Sequence, residues 1–204
     1  MKKYVVGVAV VLAFLSTVRA QVQPATPHPF QLSSTTFATR TQLPISTINN
    51  NIVNGVNTCS ADGSPGGNQS PELAWTNAPK RTASFVVVAF DTTASFTHWG
   101  MYNIPATTTE LPENAGVAGS TFGTQVLNDF FIGEEYDGPC PPNVEPFVHH
   151  YVFTVYALDK QLRLPTSGNF PPSAETLYQA LIVAGRVGHV LASSSITGLH
   201  SVHK

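Results

Sequence analysis

The stretch H-H-Y-V-F-T-V-Y-A-L-D, His149 to Asp159, decides the fold class. From Tyr151 to Leu158 it is rich in β-branched and aromatic residues, which suit a pleated, half-buried surface. Side chains alternate along a strand, so His149 and Tyr151 share one face and His150 takes the other. That holds if the extended conformation starts by His149. Upstream, S-F-V-V-V-A-F (Ser84 to Phe90) is an apolar run between polar residues and reads as a strand buried on both faces. It ends at Asp91, which puts a carboxylate at the mouth of a core strand. Trp99 to Ile104 reads as another strand, closed by Pro105.

The rest of the chain supports a mainly β domain. Phe30 to Ile45 reads as one or two short strands, and Leu73 to Trp75 as another after the Ser70-Pro71 turn. Asn49 to Asn68 is rich in Asn and Gly and reads as loop; Ala106 to Asp129 lacks period and reads as irregular surface chain. One helix is legible. Ser173 is its N-cap, Glu175 lies in its first turn, and Gly185 marks its stop. Leu177, Ala180, Leu181 and Ala184 form its apolar stripe. A second short helical piece is expected over Gly188 to Ala192 and a last strand over Ser195 to Leu199. Strands with helix confined to the C-terminal part imply a sheet-on-sheet core with a helical appendage.

Residues 1–20 read as a secretory signal peptide. Lys2 and Lys3 precede an apolar stretch from Val5 to Leu15, and Val18-Arg19-Ala20 offers a small-residue cleavage pattern after Ala20. The apolar core is short for a transmembrane span, so none is expected in the mature chain. Residues 21–29 read as a flexible lead-in and 30–204 as a single domain, long enough to bury a real core. Removing Lys2, Lys3 and Arg19 from the 10 basic residues leaves 7 against 12 acidic ones, a formal net charge of −5. That argues against nucleic acid, whose binding needs a basic surface. An anion would have to be held by local hydrogen bonds rather than by long-range steering. The destination is periplasm or medium, and in such a compartment the two cysteines, Cys59 and Cys140, are expected to be bridged.

Several segments, taken in order, carry a family likeness: G-N-Q-S-P-E-L-A-W (Gly67 to Trp75), D-T-T-A-S (Asp91 to Ser95), H-W-G-M-Y-N-I-P (His98 to Pro105), Y-D-G-P-C-P-P (Tyr136 to Pro142) and H-H-Y-V-F-T-V-Y-A-L-D. From about Phe30 to the C-terminus the chain resembles the bacterial branch of the phosphatidylethanolamine-binding protein family, the branch similar to Raf kinase inhibitor protein. The resemblance implies a large central sheet packed on a smaller one, with C-terminal helices beside a pocket for small anions and phosphorylated head groups. Carried over by position, the ligand-binding residues are Asp91, His98, Pro141, Pro142, His149 and Tyr151. Imidazole N–H, tyrosine O–H and backbone N–H can donate to a phosphate. Asp91 suits orienting a histidine, or meeting a ligand ammonium or a protonated phosphate oxygen. The chain departs from the family's D-P-D-A-P at Thr92, Thr93 and Ser95, and from its H-R-Y at His150.

Other readings are weaker on these residues. Asp91, His98 and His149 make a two-His-one-carboxylate set on paper, but there is no H-E-x-x-H or C-x-x-C, and the resemblance implies no metal or cofactor. No G-x-S-x-G elbow presents a nucleophile, so a non-enzymatic binding role is expected. Family members also inhibit kinases or proteases, so an extracellular protein target is the second expectation. Glu134, Glu135 and Asp137 read as a solvated acidic patch. His189 reads as a packing residue, and His28, His200 and His203 carry no argument.

Overall fold

A computed structural model describes residues 28–166 and 170–203, together with Met1. The expected signal peptide, apart from Met1, and residues 21–27 of the expected lead-in lie outside the described residues. The strands are β1 (Gln31–Ser33), β2 (Thr41–Gln42), β3 (Ile52–Val53), β4 (Val56–Asn57), β5 (Leu73–Thr76), β6 (Ser84–Asp91), β7 (Phe96–Pro105), β8 (Glu110–Leu111), β9 (Thr124–Gln125), β10 (His149–Leu158) and β11 (Val190–His200). Helix α1 spans Ala174–Arg186. A six-stranded sheet has the order β2-β11-β10-β6-β7-β9, a three-stranded sheet the order β1-β5-β8, and β3 and β4 form a separate pair. Pairing is antiparallel throughout except between β2 and β11.

The apolar run of β6 is continuous because both of its faces are covered. Phe85, Val87 and Ala89 join the core between the two sheets, with Trp75 and Leu73 of β5 and Phe153, Val155 and Ala157 of β10. The rings of Trp75 and Phe85 lie 5.0 Å apart, and those of Phe37 and Phe153 5.4 Å. Truncating a buried phenylalanine such as Phe85 to alanine costs about 3–5 kcal/mol. Val86 and Val88 face the other way and pack with Leu177, Leu181 and Ala184 of α1. The helix comes this close because β7 has Gly100 beneath it. A Cβ there would lie 2.7 Å from Val126 and 2.8 Å from Leu177.

The helix starts as its sequence requires: the Ser173 hydroxyl accepts from the N–H of Thr176, and Glu175 lies in the first turn. It runs one residue past Gly185, and the left-handed residue beyond it is Gly188, at φ +79°. Gly188 to Ala192 is not a second helix. β11 begins at Val190 and runs eleven residues, well beyond Ser195 to Leu199. Its polar run A-S-S-S gives little strand signal; the pairing of Ser193–Ser195 with Thr154–Tyr156 of β10 makes it a strand. Among the described residues α1 is therefore the one C-terminal α-helix, where helices in the plural were expected. Short pairs also interrupt the two segments expected to be irregular, β3–β4 in the first and β8 and β9 in the second. No helix among the described residues is long and apolar enough to cross a membrane.

Candidate functional site

The inner face of β6 and β10 changes character at one end. Paired residues run apolar from Ala157↔Phe85 through Val155↔Val87 and Phe153↔Ala89, then turn polar at Tyr151↔Asp91. His149 continues the same face of β10, as strand alternation requires. A cavity of about 180 Å³ opens there, lined by Asp91, Ala94, Phe96, His98, Phe130, Cys140, Pro141, Pro142, His149 and Tyr151. All six residues carried over from the family resemblance are in this lining. His150 is outside it, exposed on the other face, where it lines a separate surface depression with Arg40, Thr92, Val152, Thr197 and Leu199.

His98 reaches the cavity through an irregularity. On β7, Trp99 pairs with Ala89 and Thr97 with Phe90, which leaves His98 as the extra residue of a bulge. The bulge lets Trp99 enter the inter-sheet core while its neighbour His98 also turns inward. The Trp99 indole N–H donates to Gln125 Oε1 at 2.6 Å, and Gln125 donates in turn to the carbonyls of Val117 and Glu134. The His98 ring sits 5.1 Å from those of Phe96 and Tyr151 and 5.5 Å from that of Phe130, centroid to centroid.

Each histidine is fixed by one ring nitrogen. His98 Nδ1–H donates to the carbonyl of Asp137 at 2.7 Å. His149 Nδ1–H donates to Asp91 Oδ2 at 2.6 Å. Neither Nε2 has a partner among the described residues. Asp91 is held in turn, because its Oδ1 accepts from the N–H of Thr93 at 2.8 Å and of Ala94 at 3.2 Å. Asp91 thus orients His149, one of the roles its position suggested. Tyr151 is 1% exposed, and among the described residues no partner lies within hydrogen-bond reach of its hydroxyl, whose nearest charged influence is Asp91. Burial, and then the Asp91 carboxylate, push the Tyr151 phenol well above its ordinary range, so it stays an O–H donor. Burial pushes the His98 imidazole down, against the opposing pull of the Asp137 carbonyl and the Asp91 and Asp137 charges.

The departures from the family pattern meet each other. Thr92 N–H donates to the His150 carbonyl at 3.0 Å, and the His150 N–H donates to the Thr93 hydroxyl at 3.1 Å. Threonine hydrogen bonds tie down the Asp91–Ser95 turn where prolines would have stiffened it.

The wall opposite the sheet is the Y-D-G-P-C-P-P segment. Cys140 is bonded to Cys59, with Cα atoms 4.3 Å apart. Asp137 is not part of a solvated acidic patch. It is buried, and its two carboxylate oxygens accept from Asn68 at 3.2 Å and Asn128 at 2.8 Å. Glu134 stays exposed and Glu135 half-buried. Asn68 also accepts from the N–H of Gly138 at 2.7 Å, so the G-N-Q-S-P motif serves to hold the cavity wall. His200 is likewise buried. Its Nδ1 accepts from Gln42, and its Nε2–H donates to the carbonyl of Cys59 at 2.7 Å, which ties β11 to the disulfide. His189 donates to Asp159 at 2.8 Å. Phe96, Phe130 and Ala94 were missed by sequence reading, because an aromatic or alanine lining has no polar signature. Among the described residues no three His, Cys, Asp or Glu side chains are grouped to hold a metal ion.

Comparison with known proteins agrees with this geometry. The family model described as phosphatidylethanolamine-binding protein matches residues 33–201. The chain is 34% identical to the UPF0098 protein YbcL of Escherichia coli (strain K12) over 204 residues, covering 96% of this chain and 97% of that one. It is 36% identical over 145 residues to UPF0098 protein YbhB of the same organism, covering 68% and 85%. The crystal structure of E. coli YbcL, described as a new member of the mammalian PEBP family, superposes with a TM-score of 0.67 at 31% identity. The match covers 85% of this chain and 99% of that chain.

Proposed function

This chain belongs to the phosphatidylethanolamine-binding protein family, and from that premise we propose that it holds a phosphorylated head group or small oxyanion in the cavity at Asp91. The observation that carries the reading is the set of unmet polar atoms. Among the described residues the Tyr151 hydroxyl is buried without a partner, and the Nε2 atoms of His98 and His149 make no hydrogen bond at the same cavity. Leaving the Tyr151 hydroxyl buried and unpaired costs about 1–3 kcal/mol, which a ligand would recover. The lining offers no free serine, threonine or thiol, since Cys140 is disulfide-bonded, and this favours holding a ligand over nucleophilic attack on it. The leader-like first twenty residues and the disulfide support an exported protein acting in periplasm or medium.

Titration calorimetry with inorganic phosphate and phosphoethanolamine tests the reading. Both should bind, and His149→Ala should weaken them by about tenfold or more, the loss of one charge-assisted hydrogen bond. Absence of binding at millimolar ligand would refute it. A second reading, contact with an extracellular protein, is favoured by one feature. Phe131 and Ile132 are 70% and 78% exposed directly after Phe130 of the cavity lining. Phe131→Ser with Ile132→Ser would abolish such contact and leave phosphate binding intact.

A further inference from the structure

Proton counting at the two imidazoles narrows the ligand of that same site, on the premise that the cavity holds an oxyanion. Each Nδ1–H already donates to a protein acceptor, Asp137's carbonyl for His98 and Asp91 for His149. A neutral imidazole with its hydrogen on Nδ1 has a lone pair on Nε2. A ligand oxygen can rest against that lone pair only with a hydrogen between the two atoms. Two such contacts need two hydrogens, carried either by the rings or by the ligand. Asp91 adds a negative charge behind His149 and opposes a bare dianion. Tyr151 has the opposite polarity: its orphaned O–H suits one unprotonated oxygen.

We propose that the cavity selects an oxyanion able to carry an acid hydrogen near neutral pH, a phosphate or phosphomonoester, over anions that cannot, such as sulfate or a phosphodiester. Dihydrogen phosphate meets both Nε2 atoms with its two O–H groups and offers a bare oxygen to Tyr151. Hydrogen phosphate brings one hydrogen, and the complex takes the second as a proton from solvent. Sulfate has the same shape and the charge of the phosphate dianion but no hydrogen, so it requires both rings to be protonated. Burial of His98 opposes that protonation. The titratable groups facing the two rings are Asp91 and Tyr151 on the sheet and Asp137 on the cavity wall. His200 faces His149 from β11.

The decisive measurement is calorimetry of inorganic phosphate and sodium sulfate with the full mature chain, in two buffers of different ionisation enthalpy. At about pH 8, where free histidine is neutral, phosphate should bind with uptake of about one proton. Sulfate should bind about tenfold more weakly or less, the equivalent of one unmade hydrogen bond. The gap should narrow as the pH falls and protons become available to the sulfate complex. His98→Gln, which puts an amide donor in place of one lone pair, should narrow the gap at the higher pH. Equal affinities at the higher pH, or phosphate binding without proton uptake, would overturn the selectivity and leave the cavity reading standing. Failure of both anions at both pH values would overturn both. Phosphatidylcholine vesicles carrying phosphatidate, set against free phosphate, distinguish a lipid source from a soluble one, and either source supports the selectivity. A preference for glycerophosphoethanolamine, a diester, over phosphoethanolamine overturns it.

Discussion

His149 and His150 are neighbours in sequence and opposites in surroundings. On the inner face His149 is buried, bonded to Asp91 and set beside the undonated hydroxyl of Tyr151. On the outer face His150 is exposed in a depression with Arg40 and two threonines, where water can satisfy every polar group. The same residue type thus sits once in a site where its ring is held by a buried carboxylate and once where it is not. Burial makes the difference: away from water a polar atom must find a partner or remain a cost, and at the inner face the Tyr151 hydroxyl is left so, beside two Nε2 atoms that open on the same cavity.

The largest expected effect is at the residue that organises the inner face. Asp91→Ala would leave the Nδ1–H of His149 and the N–H groups of Thr93 and Ala94 without their acceptor. Three hydrogen bonds at about 1 kcal/mol each predict a loss of about 3 kcal/mol, read as a lower urea midpoint, together with loss of phosphate binding. Tyr151→Phe separates stability from function. It removes a buried hydroxyl that has no partner, so the free protein should be as stable or gain about 1 kcal/mol, while phosphate affinity drops about tenfold. A fall in stability with unchanged binding would show that the hydroxyl serves the fold.

A smaller effect concerns pH. Burial lowers the folded-state pKa of His98 and of His200. Between those depressed values and the ordinary histidine value the unfolded chain binds more protons, so stability rises with pH through that window. It is full above about pH 7 and falls as pH drops below about 6.5. Urea midpoints measured at about pH 5 and 7.5 should differ in that direction, and His200→Gln should reduce the difference. The smallest effect belongs to the outer face. His150→Ala should change stability by no more than about 0.5 kcal/mol and leave phosphate affinity unchanged, because the bonds to Thr92 and Thr93 at strongest geometry use its backbone. Loss of binding in this variant would erase the contrast between the two faces.

The sequence by itself determined whatever depends on consecutive residues. The unbroken apolar run of β6 foretold a strand covered on both sides, and alternation along β10 assigned His149 and Tyr151 to one face. Ser173 declared the start of α1. Four of the five spaced motifs carried all six cavity residues that the family resemblance named. The tertiary structure alone decided matters that rest on partners far along the chain. The bulge that turns His98 inward exists only against the pairing of β7 with β6, and its ring is held by a carbonyl 39 residues away. Asp137 looks like a surface acid until Asn68 and Asn128 close over it from 69 and 9 residues away. The serines of β11 form a strand because β10 supplies their hydrogen bonds, and His200 becomes a buried strut because Cys59, 141 residues distant, offers its carbonyl. Local periodicity is written in the spacing of side chains. A long-range hydrogen bond is made by two segments whose meeting no local spacing records.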